Sequence, residues 1–95
     1  MKIVITENQR HLLRRHEEIE DEIYDQLLRY GYLPHNLESF MGQITWDVGS
    51  TLAGKMIPNV VGGKYVILRN QIIHYIRNNF YTELKEYWES RQPRY

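Results

Sequence analysis

The sequence predicts an α+β domain in which about three helices pack on a small sheet of two or three strands. Apolar residues recur at steps of three and four in the first and last thirds of the 95-residue chain, as in helices that bury one face. Short β-branched runs near residues 2–5 and 57–68 are typical of strands. An all-helical bundle is the alternative. The length suits a single domain over 1–95, with 90–95 expected to form a flexible tail.

A strand followed by a helix is predicted for the first thirty residues. Lys2 to Ile5 is short and β-branched, and Thr6-Glu7-Asn8-Gln9 matches the capping box that begins a helix. Gly31 can end this helix. Its inward stripe consists of Leu12, His16, Ile19, Ile23, Leu27 and Tyr30.

A second helix is predicted after Pro34, with Asn36 as its candidate N-cap. Its apolar stripe comprises Leu37, Phe40, Ile44, Val48 and Leu52. A second stripe is small enough for close approach by a neighbouring element, and it consists of Gly42, Gly49 and Ala53. Because Ile44, Trp46 and Val48 also alternate, a strand over 43–48 stays open as the other interpretation.

A β-hairpin and a final helix are predicted for the remainder. Residues 57–61 and 64–68 flank Gly62-Gly63, and glycine readily adopts the positive φ of a two-residue hairpin turn. Asn70 is the candidate N-cap of the final helix, whose inward stripe is Ile73, Ile76, Phe80, Leu84 and Tyr87. Residues 64–69 are either a strand or the beginning of this helix, because a helical period also relates Tyr65, Leu68, Ile72 and Ile76.

Composition and motifs exclude several classes of function. The chain has no cysteine, which excludes disulfide scaffolds, zinc–thiolate sites and thiol catalysis. No apolar run approaches the ~20 residues of a membrane span, so we expect a cytoplasmic protein without a membrane partner. Gly62-Gly63-Lys64 is not a phosphate loop, because Pro58 stands where that motif needs glycine and Tyr65 stands where it needs serine or threonine.

No catalytic or metal-binding constellation emerges from the spacing of the polar residues. His16 and Glu20 lie four apart on one predicted helix and could supply two metal ligands. A histidine at the edge of an apolar stripe is more typical of a structural residue that uses its polar tip. We therefore predict no metal, no cofactor and no enzymatic activity.

Charge is distributed unevenly along a chain whose formal net charge is zero. Residues 1–54 carry five basic and nine acidic residues, whereas residues 55–95 carry seven basic and three acidic residues. The first helix presents an acidic docking face formed by Glu17, Glu18, Asp21, Glu22 and Asp25. We expect this face to meet basic groups of the last helix, either within one chain or across a dimer.

The C-terminal half combines cations with aromatic side chains in a pattern that suits a partner face or a nucleic-acid face. Cations bind phosphates and exposed aromatic rings stack on bases. The candidate residues are Arg69, Arg77, Tyr81, Lys85, Arg91 and Arg94. Glu83, Glu86 and Glu89 interrupt the positive field, which makes nucleic acid the alternative partner rather than the first choice.

The segment from Met1 to Gln9 resembles the beginning of small uncharacterised proteins of marine tailed phages and related environmental viral sequences. This resemblance implies an accessory protein acting inside a bacterial host, and it assigns no functional residues. Small size, eight tyrosines and charge polarity favour a non-enzymatic protein-interaction or assembly protein. We expect its partner to be a second copy, in a homo-oligomer, or another protein.

Overall fold

Four α-helices form the part of the chain that the computed structural model describes, residues 15–57 and 63–92. In chain order α1 spans His16–Arg29, α2 Leu37–Met56, α3 Gly63–Asn79 and α4 Tyr81–Ser90. The long helix α2 is central and packs against the other three. None of these helices is both long and apolar enough to cross a membrane.

The predicted α+β fold is wrong for the described residues, which contain no strand. Residues 64–69, for which a strand or the beginning of the final helix is predicted, form the first turns of α3, and residues 43–48 lie inside α2. The all-helical alternative is therefore confirmed over these residues. The predicted strand Lys2–Ile5, its capping box and most of the first hairpin strand (58–61) lie outside the described residues.

Burial explains why the helical period prevails over the alternating one. In α2, Ile44 and Val48 are fully buried while Trp46 is 51% exposed, although a strand would place all three on one face. In α3, Val66 and Ile67 are exposed, whereas Leu68 packs against the core. A helix brings these core-facing side chains to one side, and a strand cannot.

The hydrophobic core lies between α2 and the inward faces of the other helices. α1 contributes the predicted residues Ile19, Ile23 and Leu27, all at most 5% exposed. The remaining core side chains are Phe40, Met41, Ile44, Val48, Leu52, Ala53, Ile72, Tyr75, Ile76, Phe80 and Leu84. This burial holds the helices together, because apolar area removed from water is the main favourable term in folding.

The start of α2 is the predicted one. Asn36 has extended backbone geometry, and its Oδ1 accepts hydrogen bonds from the backbone N–H groups of Glu38 (2.8 Å) and Ser39 (3.2 Å). These bonds satisfy two of the donors that the first turn of a helix leaves unpaired. The N-cap prediction is therefore confirmed.

Close approach of α2 and α3 depends on Gly49. A Cβ atom at this position would lie 3.1 Å from the Arg69 carbonyl oxygen and 3.1 Å from Ile73 Cγ1. A Cβ atom at Gly42 would meet no such neighbour within 4 Å. Of the two glycines in the predicted small-residue stripe, Gly49 alone meets α3 closely.

The predicted final helix begins earlier than expected and is divided into two helices at Phe80. Asn70 lies inside α3 and is not an N-cap. The chain leaves helical geometry at Phe80, where φ is −122° and ψ is 7°, and α4 starts at the next residue. Asn79 Nδ2 donates to the Tyr75 carbonyl (2.9 Å) just before this break.

The break at Phe80 changes the direction of the chain while both Phe80 and Leu84 stay in the core, at 3% and 2% exposure. Beyond it, Ser90 is the last residue of α4, and Gln92 Nε2 donates to the Trp88 carbonyl (3.2 Å). The other residues of the predicted tail, 93–95, lie outside the described part of the chain.

Candidate protein-interaction groove

An open groove with a volume of about 330 Å³ separates α1 from α4. Its floor is apolar and consists of Ile23, Leu27, Phe80 and Leu84. Tyr24, Tyr87 and Ser90 line its sides, and its rim carries the carboxylates of Glu20, Glu83 and Glu86. We call this feature the α1/α4 groove.

The groove is open because α4 is held by α2 and by the connector between α1 and α2, and not by α1 itself. The Tyr87 ring stacks on Phe40 of α2, with ring centroids 6.5 Å apart. Trp88 Nε1 donates a 2.7 Å hydrogen bond to the Pro34 carbonyl in the connector between α1 and α2. These contacts hold α4 against α2 and leave a gap beside α1.

His16, the first residue of α1, contacts the groove-floor residue Phe80. Its ring stacks on Phe80 with centroids 4.8 Å apart, and its Nδ1 lies 2.6 Å from the Tyr75 hydroxyl. Burial raises the pKa of Tyr75. His16 Nε2 lies 3.7 Å from Glu20 Oε2. Within residues 15–57 and 63–92 no cluster of three or more His, Asp or Glu side chains is placed to hold a metal ion.

An exposed apolar stripe on α1 continues from the groove. Tyr24 is 57% exposed, and Leu28, one helical turn later, is 86% exposed. Tyr32, in the connector, is 94% exposed. A single exposed apolar side chain is common on protein surfaces. Several of them together beside a groove are typical of a binding surface.

The end of α1 is fixed by a hydrogen bond to α2. The Tyr30 hydroxyl donates to Asp47 Oδ2 (2.5 Å), and burial together with this bond raises the pKa of Tyr30 far above its ordinary value. This bond ties the end of α1 to the middle of α2. The groove wall that α1 forms is therefore attached to α2 at its C-terminal end.

The predicted acidic docking face lies mainly on the other side of α1, facing the end of α2. All five of its carboxylates line one open recess together with Leu52 and Lys55, namely Glu17, Glu18, Asp21, Glu22 and Asp25. Glu22 is 7% exposed, accepts from Gln26 Nε2 (3.0 Å) and lies 3.5 Å from Lys55 Nζ. Glu18 and Asp25 pair with Arg15 and Arg29.

Among the described residues, the basic group that reaches the acidic face from another helix is thus Lys55 of α2, and not a residue of the predicted last helix. The difference arises because α2, rather than α4, packs directly beside α1. Where α1 and α4 do face each other, across the groove, both helices contribute carboxylates. Contact across a dimer remains a prediction.

Of the predicted basic and aromatic residues, Arg69 and Arg77 lie on α3, Tyr81 and Lys85 on α4, and Arg91 directly after α4. The four cations among them contact different neighbours. The Arg69 guanidinium lies over the Trp46 ring at 4.1 Å, and Arg77 pairs with Glu38 at 3.4 Å. Lys85 pairs with Glu89 at 4.0 Å, and Arg91 lies over the Tyr87 ring at 4.8 Å.

Arg77, Tyr81 and Lys85 stand four residues apart in the sequence, but they do not lie along one helix, because the break at Phe80 separates Arg77 from the other two. Tyr81 is 38% exposed. Arg94 lies outside the described residues.

Sequence reasoning did not find the α1/α4 groove. One signal was present, since Tyr24, Leu28 and Tyr32 stand four residues apart in the sequence and outside the buried stripe of α1. The contribution of α4 had no such signal, because it depends on the break at Phe80. No protein-family model, curated protein or solved structure matches this chain.

Proposed function

We propose that this chain is a cytoplasmic, non-enzymatic protein-interaction domain that binds a basic, partly apolar segment of a partner protein in the α1/α4 groove. One observation carries the proposal: among the described residues, an apolar floor lies beneath a rim whose charged side chains are the carboxylates of Glu20, Glu83 and Glu86. Apolar pockets supply most of the affinity in protein interfaces, and complementary rim charges supply specificity and association rate.

The exposed apolar stripe beside the groove enlarges the contact area available to a partner. Tyrosine is enriched among the residues that dominate binding energy, because it buries a large ring with little loss of rotamer freedom. Tyr24 stands on the edge of the groove, and Leu28 extends the apolar surface by one turn. A bound segment would thus contact both the groove floor and the outer face of α1.

The charge of the rim also bears on self-association. In a symmetric dimer each surface meets its own copy. Pairing two α1/α4 grooves would place the carboxylates of Glu20, Glu83 and Glu86 against one another, which is unfavourable. A homo-oligomer that used this surface would therefore join the groove of one copy to a different, basic surface of the next.

Nucleic acid is the less favoured partner. The groove rim repels phosphates, and the cations of α3 and α4 contact separate neighbours instead of forming one positive surface. Binding through phosphates needs several cations directed at the same backbone.

The test is titration of the full chain with a fluorescent amphipathic peptide of leucine and lysine, followed by fluorescence anisotropy. A peptide in which glutamate replaces lysine is the control ligand. We expect binding of the leucine–lysine peptide only, weakening as salt rises because rim charges are screened. Equal binding of both peptides, or of neither, would overturn the proposal.

Matched charge reversals locate the binding surface. Glu83→Lys combined with Glu86→Lys changes the groove rim, whereas Glu89→Lys makes the same kind of change on α4 outside the groove. We expect the double variant to weaken binding about tenfold or more, which is about 1.4 kcal/mol, and Glu89→Lys to weaken it much less. Solution mass measured on the same samples shows whether a second copy competes with the peptide.

A further inference from the structure

We infer that a second copy of this chain occupies the α1/α4 groove, using a surface formed by Trp46 of α2 with Val66, Ile67 and Arg69 of α3. We call these four residues the Trp46/Arg69 surface. The inference rests on the proposed function of the groove and identifies its partner. Because the two surfaces differ, the copies join head to tail instead of forming a symmetric dimer.

The Trp46/Arg69 surface exposes large apolar side chains to water. Trp46 is 51% exposed, and Val66 and Ile67 are 39% and 59% exposed. The chain's other tryptophan, Trp88, is half-buried and donates to the Pro34 carbonyl. Tryptophan and arginine are among the residues that most often dominate the binding energy of protein interfaces. An exposed tryptophan stacked against an arginine therefore indicates a contact surface.

Arg69 supplies the positive charge of this surface and is held in place by aromatic rings. Its guanidinium lies 4.1 Å from the centre of the Trp46 ring and 5.9 Å from that of Tyr65. Its Nη2 donates to Asn70 Oδ1 (3.4 Å), and its Nε is buried without a hydrogen-bond partner among the described residues. A cation already fixed by stacking loses little freedom when a carboxylate of another molecule binds it.

Charges left unpaired within one copy match across the two surfaces. Within the described part of the chain, Arg69 forms no ion pair, and neither do the groove-rim carboxylates of Glu83 and Glu86. Docking brings Arg69 of one copy to these carboxylates of the next, where a guanidinium and a carboxylate form strong hydrogen bonds. The apolar floor of the groove then covers Trp46 and Ile67.

The overall charge of the helices supports the same arrangement. Of the four described helices, α3 is the one without an acidic residue, and it carries Lys64, Arg69 and Arg77. The groove lies between α1 and α4, both of which are rich in glutamate. Opposite charges on two surfaces steer their encounter and fix their orientation.

One copy cannot fill its own groove with this surface. Asp47, Thr51 and Lys55 are the residues through which α2 bonds to α1 and to its cap Tyr30. At about 100° per residue, Trp46 stands roughly 140° around α2 from Thr51. The Trp46/Arg69 surface therefore points away from α1, and its partner groove belongs to another molecule.

Symmetric pairing of either surface is less favourable. Two Trp46/Arg69 surfaces would bring two unpaired guanidinium groups into one interface, and two grooves would bring their rim carboxylates together. Like charges in one interface oppose association. The head-to-tail contact is the arrangement that joins opposite charges.

Solution mass of the full chain across a concentration series tests the inference. The surface variant combines Trp46→Ala with Arg69→Glu, and the groove variant combines Glu83→Lys with Glu86→Lys. We expect the wild-type mass to rise with concentration, and each variant to associate about tenfold more weakly or less still. Wild-type association should also weaken as salt rises.

Mixing the two variants separates head-to-tail contact from symmetric contact. The surface variant keeps an intact groove, and the groove variant keeps an intact Trp46/Arg69 surface. An equimolar mixture should therefore form a dimer that grows no further. A wild type that stays monomeric at every concentration, a mixture without dimer, or wild-type association in either variant alone would overturn the inference.

Controls show that a loss of association is specific. Lys85→Glu makes the same kind of charge reversal as Arg69→Glu on a residue of α4 outside both surfaces, and it should associate like the wild type. Circular dichroism during heating checks that every variant is folded. Ile67→Glu, at an exposed position, is a second surface variant that spares the stacked Trp46 and Arg69 pair, and it should also weaken association.

Peptide binding to the surface variant distinguishes this inference from the proposed function. The leucine–lysine peptide should bind this variant, because its groove is unchanged, and should lower the mass of the assembled wild type by competition. If the peptide binds and the wild type is monomeric throughout, the second copy is the wrong occupant and the proposed function stands. If the peptide does not bind and the mixture of variants stays monomeric, both proposals fail.

Discussion

Tyr30 and Asp47 form a hydrogen bond of 2.5 Å between the end of α1 and the middle of α2. The bond is part-buried, and Asp47 lies on α2 seventeen residues after Tyr30, so it fixes the connector between the two helices. The same connector accepts the Trp88 hydrogen bond at Pro34. Tyr30 thus supports the end of α1 on which one wall of the α1/α4 groove is built.

The raised pKa of Tyr30 predicts that its stabilising contribution is lost in alkali. The ordinary value is 10.0, and burial, followed by the Asp47 hydrogen bond and charge, raises the folded-state pKa above it. Below pH 10 the tyrosine is protonated in both states, so its contribution is complete. Above pH 10 the unfolded state loses the proton first, and the free energy of unfolding falls as pH rises.

We expect Tyr30→Phe to destabilise the protein by about 1–2 kcal/mol at pH 8, because Asp47 loses its donor. The difference between wild type and variant should shrink as pH rises past 10, since phenylalanine does not titrate. Urea unfolding at pH 8, 9, 10 and 11 measures it, with Tyr24→Phe at the groove edge as the control. A difference independent of pH would contradict the proposed linkage.

Gly49 and Gly42 are predicted to respond oppositely to added side chains. Gly42→Ala should stabilise the protein by about 0.5–1 kcal/mol, because alanine is the better helix former and no neighbour obstructs its methyl group. Gly49→Ala should stabilise the protein less than Gly42→Ala does, or should destabilise it, because its methyl group would press on the Arg69 carbonyl of α3.

Gly49→Val should destabilise the protein by about 1–3 kcal/mol through overpacking. Thermal unfolding of the three glycine variants provides the comparison. Equal effects of alanine at positions 42 and 49 would show that α2 and α3 do not approach closely at Gly49.

Two asparagines that look alike in the sequence are predicted to differ in their contribution to stability. Asn36→Ala should cost about 1 kcal/mol, because Asn36 caps α2. Asn70→Ala should be neutral or slightly stabilising, because Asn70 is an exposed residue inside α3. Chemical unfolding of both variants gives the two free energies. A larger loss of stability for Asn70→Ala than for Asn36→Ala would contradict this prediction and indicate that Asn70 caps a helix.

Local patterns were sufficient for the buried face of α1 and for the start of α2. Ile19, Ile23 and Leu27 share a face in any helix of this sequence, and an asparagine before a helical stripe has a local reason to cap it. The choice between helix and strand at 43–48 and 64–69 was not local. It depended on which side chains the rest of the fold would bury, as the exposure of Trp46 and Ile67 shows.

The amino-acid sequence by itself determined the amphipathic face of α1, the cap at Asn36, the small residue at Gly49 and the acidic character of the first half of the chain. Only the tertiary structure decided that α3 ends at Asn79, that α4 packs on α2 and that a groove opens beside α1. The physical reason is that spacing along a chain sets which side chains share a face. The pairing of one helix face with another depends on contacts between residues far apart in sequence, such as Trp88 with Pro34 and His16 with Phe80.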